Sequence, residues 1–408
     1  MTSAVRPPVR PPGRPPARPL WVILALAIGA FAIGTTEFAT MSLLPYFARD
    51  LGVDEPAAGH VISAYALGVV VGAPLIAVLG AGLPRRAMIV GLMVVFALGN
   101  GLSGLAGSYG QMLVWRFLSG MPHGAFFGFA AMVAASLVPP HRRTQAVGQV
   151  FLGLTTATII GVPMASWLGQ AVGWRWSFVL VAIAALACAA LVALLAPTDK
   201  PGQKSSMRRE LSALTRPQMW LTLAIGAVGF GGLFAIYTYL ASTLLEVTGM
   251  SDAVVPLVLA VFGIGMTIGN IIVPRFADRA LMPTAGAVLV WTAVALAIFP
   301  LVAGNIWLLT LDVFCIGLGG SLGTVLQTRL MDVSGAAQAL PAALNHSAFN
   351  FANALGPWLG GHAIAAGYGL VSTGWVGSGL ALGGLSIWFL SLMIERGMSE
   401  PQGHSRGA

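Results

Sequence analysis

Twelve apolar stretches of at least 18 residues, almost free of charge, occupy most of this 408-residue chain. About 20 apolar residues in a helix cross the hydrocarbon core of a bilayer. Lipid offers no hydrogen bonds, so a crossing segment must satisfy its own backbone, which a helix does. The stretches lie near 20–46, 57–80, 87–107, 111–138, 145–171, 176–196, 219–245, 253–275, 284–303, 306–330, 339–366 and 372–394. The expected fold is an all-α membrane protein, with these twelve spans arranged as two pseudo-symmetric six-helix bundles. Only 8% of residues are charged, against about 25% in soluble proteins, which excludes a soluble enzyme. Most of the 52 glycines fall inside the apolar runs, where small residues let helices approach closely.

The chain divides into a disordered Arg/Pro tail (1–19), a first bundle (20–196), a basic linker (197–218), a second bundle (219–396) and a short tail (397–408). The cations set the orientation, because inward loops are enriched in Lys and Arg. Tail arginines, Arg85, Arg86, Arg142, Arg143, the linker cations, Arg275, Arg279 and Arg329 fall on one side. Arg49 and Arg175 fall on the other, beside Asp50, Asp54, Glu55, Glu246 and Asp252. Both termini are therefore expected in the cytoplasm of a cell whose inner membrane holds the chain. The net charge of +8 then records topology, with no soluble basic module to bind nucleic acid. Cys188 and Cys315 both lie in apolar runs and read as core residues.

The halves resemble a repeat. A shift of 197 lays Gly68 and Gly72 on Gly265 and Gly269, and a shift of 196 lays Arg116 and Gly124 on Asp312 and Gly320. Parallel six-helix repeats are one transporter plan, with the binding site between the halves near mid-membrane. Two such halves form a complete pathway in a monomer.

Ionisable groups inside spans are costly and normally face a cavity or a partner. Glu37 in span 1 lies roughly 13 Å below the outer end, and Arg116 in span 4 and Asp312 in span 10 roughly 8–9 Å, from the helical rise. Glu37 is the expected proton-carrying acid and Arg116 its electrostatic neighbour; a static ion pair is the other reading. Asp312 is either a second acid or a vestibule residue. His123, near the middle of span 4, relays protons, binds solute or simply bonds a neighbouring helix. On span 11, His346, Asn350 and Asn353 share a face with Asn345 at its edge, and that face lines a cavity or joins helices. Phe126, Phe127, Tyr237 and Tyr239 stack on an organic solute or pack the interior. Span 5 is rich in glycine, with Gly161 and Pro163 permitting close contact and a kink. Phosphate loop, nucleophile triad, redox motif and metal-spaced ligands are all missing from the sequence, so neither an enzyme nor a cofactor is expected.

The run Gly34-Thr35-Thr36-Glu37-Phe38 with Leu43-Leu44-Pro45, Arg116 with Gly120 and Gly124, and Gly153, Gly161, Pro163 and Gly169 resemble the major facilitator superfamily. The resemblance is to its twelve-spanner drug:proton antiporter branch, near arabinose-efflux-like members. It implies proton coupling through Arg116, and export through the span 5 signature. It also implies a cytoplasmic gate in the loop after span 2. Arg85 and Arg86 remain there, but Ala81 stands at the acidic position and Pro84 at the glycine position, whereas Asp278-Arg279 persist in the second half. The inner lock is thus expected mainly on the second half. The leading expectation is a proton-coupled exporter of small organic solutes, drugs or sugars. An uptake symporter or facilitator is the alternative, ahead of a membrane sensor or membrane enzyme.

Overall fold

The structure, a computed structural model, describes residues 19–53, 55–198, 206–251 and 253–399. The tail before Pro19, the end after Ser399 and the linker cations Lys200 and Lys204 lie outside these residues. Every described element is helical, and the order follows the twelve expected spans. Eleven of the helices are long and apolar enough to cross a membrane. The remaining span, Ala339–Ala363, is a 25-residue helix with Asn345, His346, Asn350 and Asn353 along it. Its polar face lowers its hydropathy without shortening it, as befits a helix that turns that face away from lipid.

Helix ends and breaks follow local chemistry. Ser108 caps span 4 by accepting from Gln111 N at 3.3 Å, and Asn305 caps span 10 by accepting from Trp307 N and Leu308 N at 3.0 and 3.1 Å. Span 5 runs as Arg143–Thr156, a π turn Ala157–Gly161, and Val162–Ala171. Pro163 lacks an N–H and its ring crowds the carbonyl a turn earlier, so the helix widens just before it. Span 7 is interrupted at Phe230, and span 10 at a 3-10 turn, Gly319–Ser321. Part of the linker is also ordered, as a short helix Met207–Leu211 and a turn Ser212–Thr215.

The repeat is built on glycine crossings. A Cβ on Gly68 would fall on the Phe117 carbonyl, and one on Gly120 on the Tyr65 carbonyl. In the second half, Gly265 meets the Phe314 carbonyl and Gly317 the Phe262 carbonyl in the same way. All four contacts obey one shift of 197. The shift of 196 expected for span 10 is therefore off by one residue: Gly120 corresponds to Gly317, and Asp312 is not the counterpart of Arg116.

Each half has its own apolar core, and that of the first continues across the seam onto Met331, Ala339, Leu340, Ala342 and Ala343. The halves join along two seams, span 5 against span 8 and spans 2 and 4 against span 11. Glycines again set the spacing. Gly124 and Gly128 lie against the backbone of Ala342 and Ala343, and Gly148 lies against Asn270 and Pro274.

Candidate functional site

A cavity lies between the halves, lined by Glu37, His123, Thr155, Thr158, Tyr237, Asn270, His346, Asn350 and Asn353 among a majority of apolar and aromatic side chains. It leaves about 70 Å³ for the centres of water-sized molecules. Phe38 and Tyr237 touch edge to face across it, ring centroids 6.1 Å apart. Thr267 Oγ1 donates to Thr155 Oγ1 at 2.9 Å, joining spans 8 and 5 along its wall.

Glu37 is half-buried, with its side chain on the cavity. Among the described residues it forms no salt bridge with Arg116; the ion pairs there are Asp50–Arg175 and Arg329–Glu395. Arg116 is 1% exposed and is held by other groups. Its Nη1 donates to Thr36 Oγ1 at 3.0 Å, and Thr36 Oγ1 donates to Asn100 Oδ1 at 2.7 Å. The guanidinium carbon sits 4.3 Å from the Tyr65 ring centroid and 5.6 Å from that of Phe178, both within cation–π range. The positive charge is thus fixed behind Thr36, one residue from Glu37. A guanidinium so placed favours an ionised carboxyl, whereas loss of water favours the protonated form.

Tyr65 extends this network inward. Its hydroxyl shares a hydrogen bond with His123 Nδ1 at 3.0 Å. The His123 and His346 rings, one from each half, lie 5.2 Å apart, and Phe127 stacks on His346 at 4.2 Å. His346 Nε2 and Arg116 Nε are buried without a hydrogen-bond partner among the described residues. An unpaired buried donor or acceptor costs about 1–3 kcal/mol, and His346, on the cavity, is where water or solute would gain a contact.

Not every expected site residue reaches the cavity. Asn345 is fully buried and donates to Gln327 Oε1 at 2.6 Å and Gly323 O at 3.3 Å, so it joins spans 11 and 10. Phe127 lies behind His346 and shapes the wall. Asp312 is 6% exposed with Oδ2 unpartnered among the described residues; it lies in the second half, apart from the cavity residues and from Glu37. Asn350 lines the cavity while its amide donates to His346 O at 2.9 Å. Gly161 packs against Thr35 of span 1, which places Gly161 and Pro163 at a contact inside the first half.

At the arginine-rich end, Asp278 Oδ1 and Oδ2 accept from Thr144 N and Gln145 N at 2.7 and 3.2 Å, capping span 5 across the seam. Arg279 lines the surface beside it. Arg86 donates to the carbonyls of Ala193 and Ala196, closing the end of span 6 within its own half, and Arg85 lines a pocket next to Ala81. Sequence reasoning missed Thr36, Tyr65 and Asn100. Asn100 carried a signal, as an amide in an otherwise apolar span, and Thr36 stands next to Glu37.

Two pseudo-symmetric helical bundles around a largely apolar cavity with a carboxyl in its wall define a multi-pass solute carrier. A family model for the Major Facilitator Superfamily matches residues 26–339. The inner membrane transport protein YdhP of Escherichia coli K12 is 41% identical over 85% of this chain and 90% of its own. The putative transporter AraJ of the same organism is 33% identical over 85% and 88%. A chloramphenicol resistance protein of Streptomyces lividans is 32% identical over 81% and 86%. Among solved structures, the Escherichia coli fucose:proton symporter FucP superposes with a TM-score of 0.73 at 16% identity. The human organic anion transporter MFSD10 gives 0.71 at 14%. Each structural match covers 91% of this chain and 98% of the other. The chain belongs to the major facilitator superfamily and is a membrane transporter of small solutes, not an enzyme.

Proposed function

We propose that this transporter is a proton-coupled exporter, an antiporter of the drug-efflux branch that moves small organic solutes outward by alternating access. The observation that carries the reading is the Glu37 side chain on the cavity between the halves, free of a salt bridge to Arg116. A carboxyl locked in an ion pair has little reason to titrate. One that faces the pathway, with a fixed guanidinium nearby, gains a proton when its surroundings dry and loses it when they wet. Arg116, held by Thr36, supplies a fixed positive charge beside this exchange. His123, His346, Tyr237, Asn350 and Asn353 supply hydrogen bonds and stacking for the solute.

The aromatic lining, with Phe38, Phe151, Phe230, Phe234 and Phe349, favours a partly apolar organic compound over a sugar, because aromatic faces give area without demanding matched hydroxyls. The name of the Streptomyces relative points the same way. Assigning the arginine-rich face to the cytoplasm supports both termini on that side, and the likeness to YdhP supports the inner membrane. The division into bundles at 20–196 and 219–396 and the monomeric pathway belong to the same proposal.

Everted membrane vesicles with an imposed acid-inside pH gradient test the direction. Labelled sugars and lipophilic dyes or antibiotics are added outside. The reading predicts gradient-dependent accumulation of at least one apolar compound. Accumulation only under the opposite gradient would establish uptake symport instead.

A further inference from the structure

Two helix N-termini meet the seams at the arginine-rich end, and the repeat treats them unequally. At the start of span 5, Asp278 accepts from Thr144 N and Gln145 N. The first N–H groups of a helix lack partners in the helix and carry partial positive charge, so a carboxylate there is stabilising. The 197-residue register lays Ala81 on Asp278. The turn after span 2 therefore has no carboxylate for the start of span 11. Yet Leu340 N is bonded: Glu210 Oε2 accepts from it at 3.0 Å. Leu340 is the second residue of its helix, as Thr144 is of its own. Glu210 lies on the linker helix Met207–Leu211, is 1% exposed, and lines one pocket with Ala81, Arg85 and Met132 from the first half and Ala339 from the second.

We infer that Glu210 is a gating residue, a linker-borne carboxylate that takes the place of the acid absent at position 81 and closes the span 2–span 11 seam as Asp278 closes the span 5–span 8 seam. The linker helix touches both the end of span 2 and the start of span 11, so its docking needs the two helices together. While the seam is shut, the charge-assisted bond to Leu340 is sheltered from competing water, and Arg85 and Arg209 beside it offset the buried charge. Separation at this face wets Glu210 and removes that advantage. The inference rests on alternating access, as proposed above, but not on proton coupling or on direction.

The test uses spin labels at Leu83→Cys and Phe276→Cys, both well exposed at this end, one on each half, in a Cys188→Ala, Cys315→Ala background. Double electron–electron resonance in lipid nanodiscs, without solute or gradient, reads the separation of the halves. The reference protein is expected mainly at the short distance. Glu210→Gln is expected to raise the ratio of long to short populations about tenfold, the change produced by losing one charge-assisted bond. Glu210→Asp, which keeps the charge, is expected between the two. Adding Ala81→Asp to Glu210→Gln is expected to return the ratio to within about twofold of the reference. An unchanged distribution in Glu210→Gln overturns the inference. So does a shift that Ala81→Asp leaves uncorrected, which reduces Glu210 to an anchor for the linker. A failed efflux assay with these distances as expected would count against the export reading alone.

Discussion

Glu37 and Arg116 are close enough to influence each other and too well separated by Thr36 to neutralise each other. That balance depends on Asn100, which accepts from Thr36 and so holds the hydroxyl that receives Arg116 Nη1. Asn100→Ala leaves this hydroxyl free to turn and the guanidinium free to reach Glu37. A gradient-driven transport rate about tenfold lower is expected, with solute affinity changed less than twofold, since a bond to a charged group is worth roughly 1.5–3 kcal/mol. Transport kinetics in vesicles, normalised to protein in the membrane, checks this. At the opposite end, the Arg175 guanidinium and the Trp174 indole hold the Asp50 carboxyl below the usual carboxylate range. A folded-state value below the unfolded one stabilises above the unfolded pKa and loses that effect as pH falls through the folded value. Asp50 is well exposed, so the gain is below about 1 kcal/mol. Melting curves of Asp50→Asn in detergent are expected to show slightly lower stability at pH 7 and a difference from the parent that shrinks as the pH is lowered below the ordinary carboxylate range.

Helices were legible wherever burial and hydropathy agreed, and least so where function sets them apart. Span 11 is the example. Its amides lower its hydropathy, yet the same residues marked it in the sequence as a cavity helix. For Asn345 the second of the two expected roles, joining helices, is the one observed, because spacing along one helix does not say that Gln327 of span 10 waits at its edge. The span 10 register was also misplaced by one residue, since Gly124 and Gly320 align by chance at 196. Only the backbone crossings of Gly120 on span 2 and Gly317 on span 8 reveal the true 197. These crossings make a sharp prediction. Gly120→Leu drives a side chain into the Tyr65 carbonyl and is expected to destabilise by 3 kcal/mol or more, on the order of severe overpacking. Gly91, with open space around its Cα, is expected to accept alanine with a neutral or slightly favourable effect of up to about 1 kcal/mol. Size-exclusion profiles and thermal melts of the two variants distinguish these outcomes.

The assembled molecule is closed along its arginine-rich seams, with a cavity between the halves. Under the proposed alternating access, the Asp278 cap on span 5 would part when this face opens. The sequence announced the twelve spans, the duplication and Glu37, because charge in oil and period in glycine are visible in one dimension. It did not announce Glu210, which stood unremarked in a basic linker until the fold set it over the start of span 11. The claim on which the proposed coupling depends is that Glu37 carries the coupled proton. Reconstituted protein with a pH-sensitive dye sealed inside the liposomes measures it directly, as proton release on addition of a transported compound. The parent protein is predicted to give solute-dependent proton flux, and Glu37→Gln to exchange solute across the membrane with no such flux. Proton flux in Glu37→Gln equal to that of the parent would contradict the account.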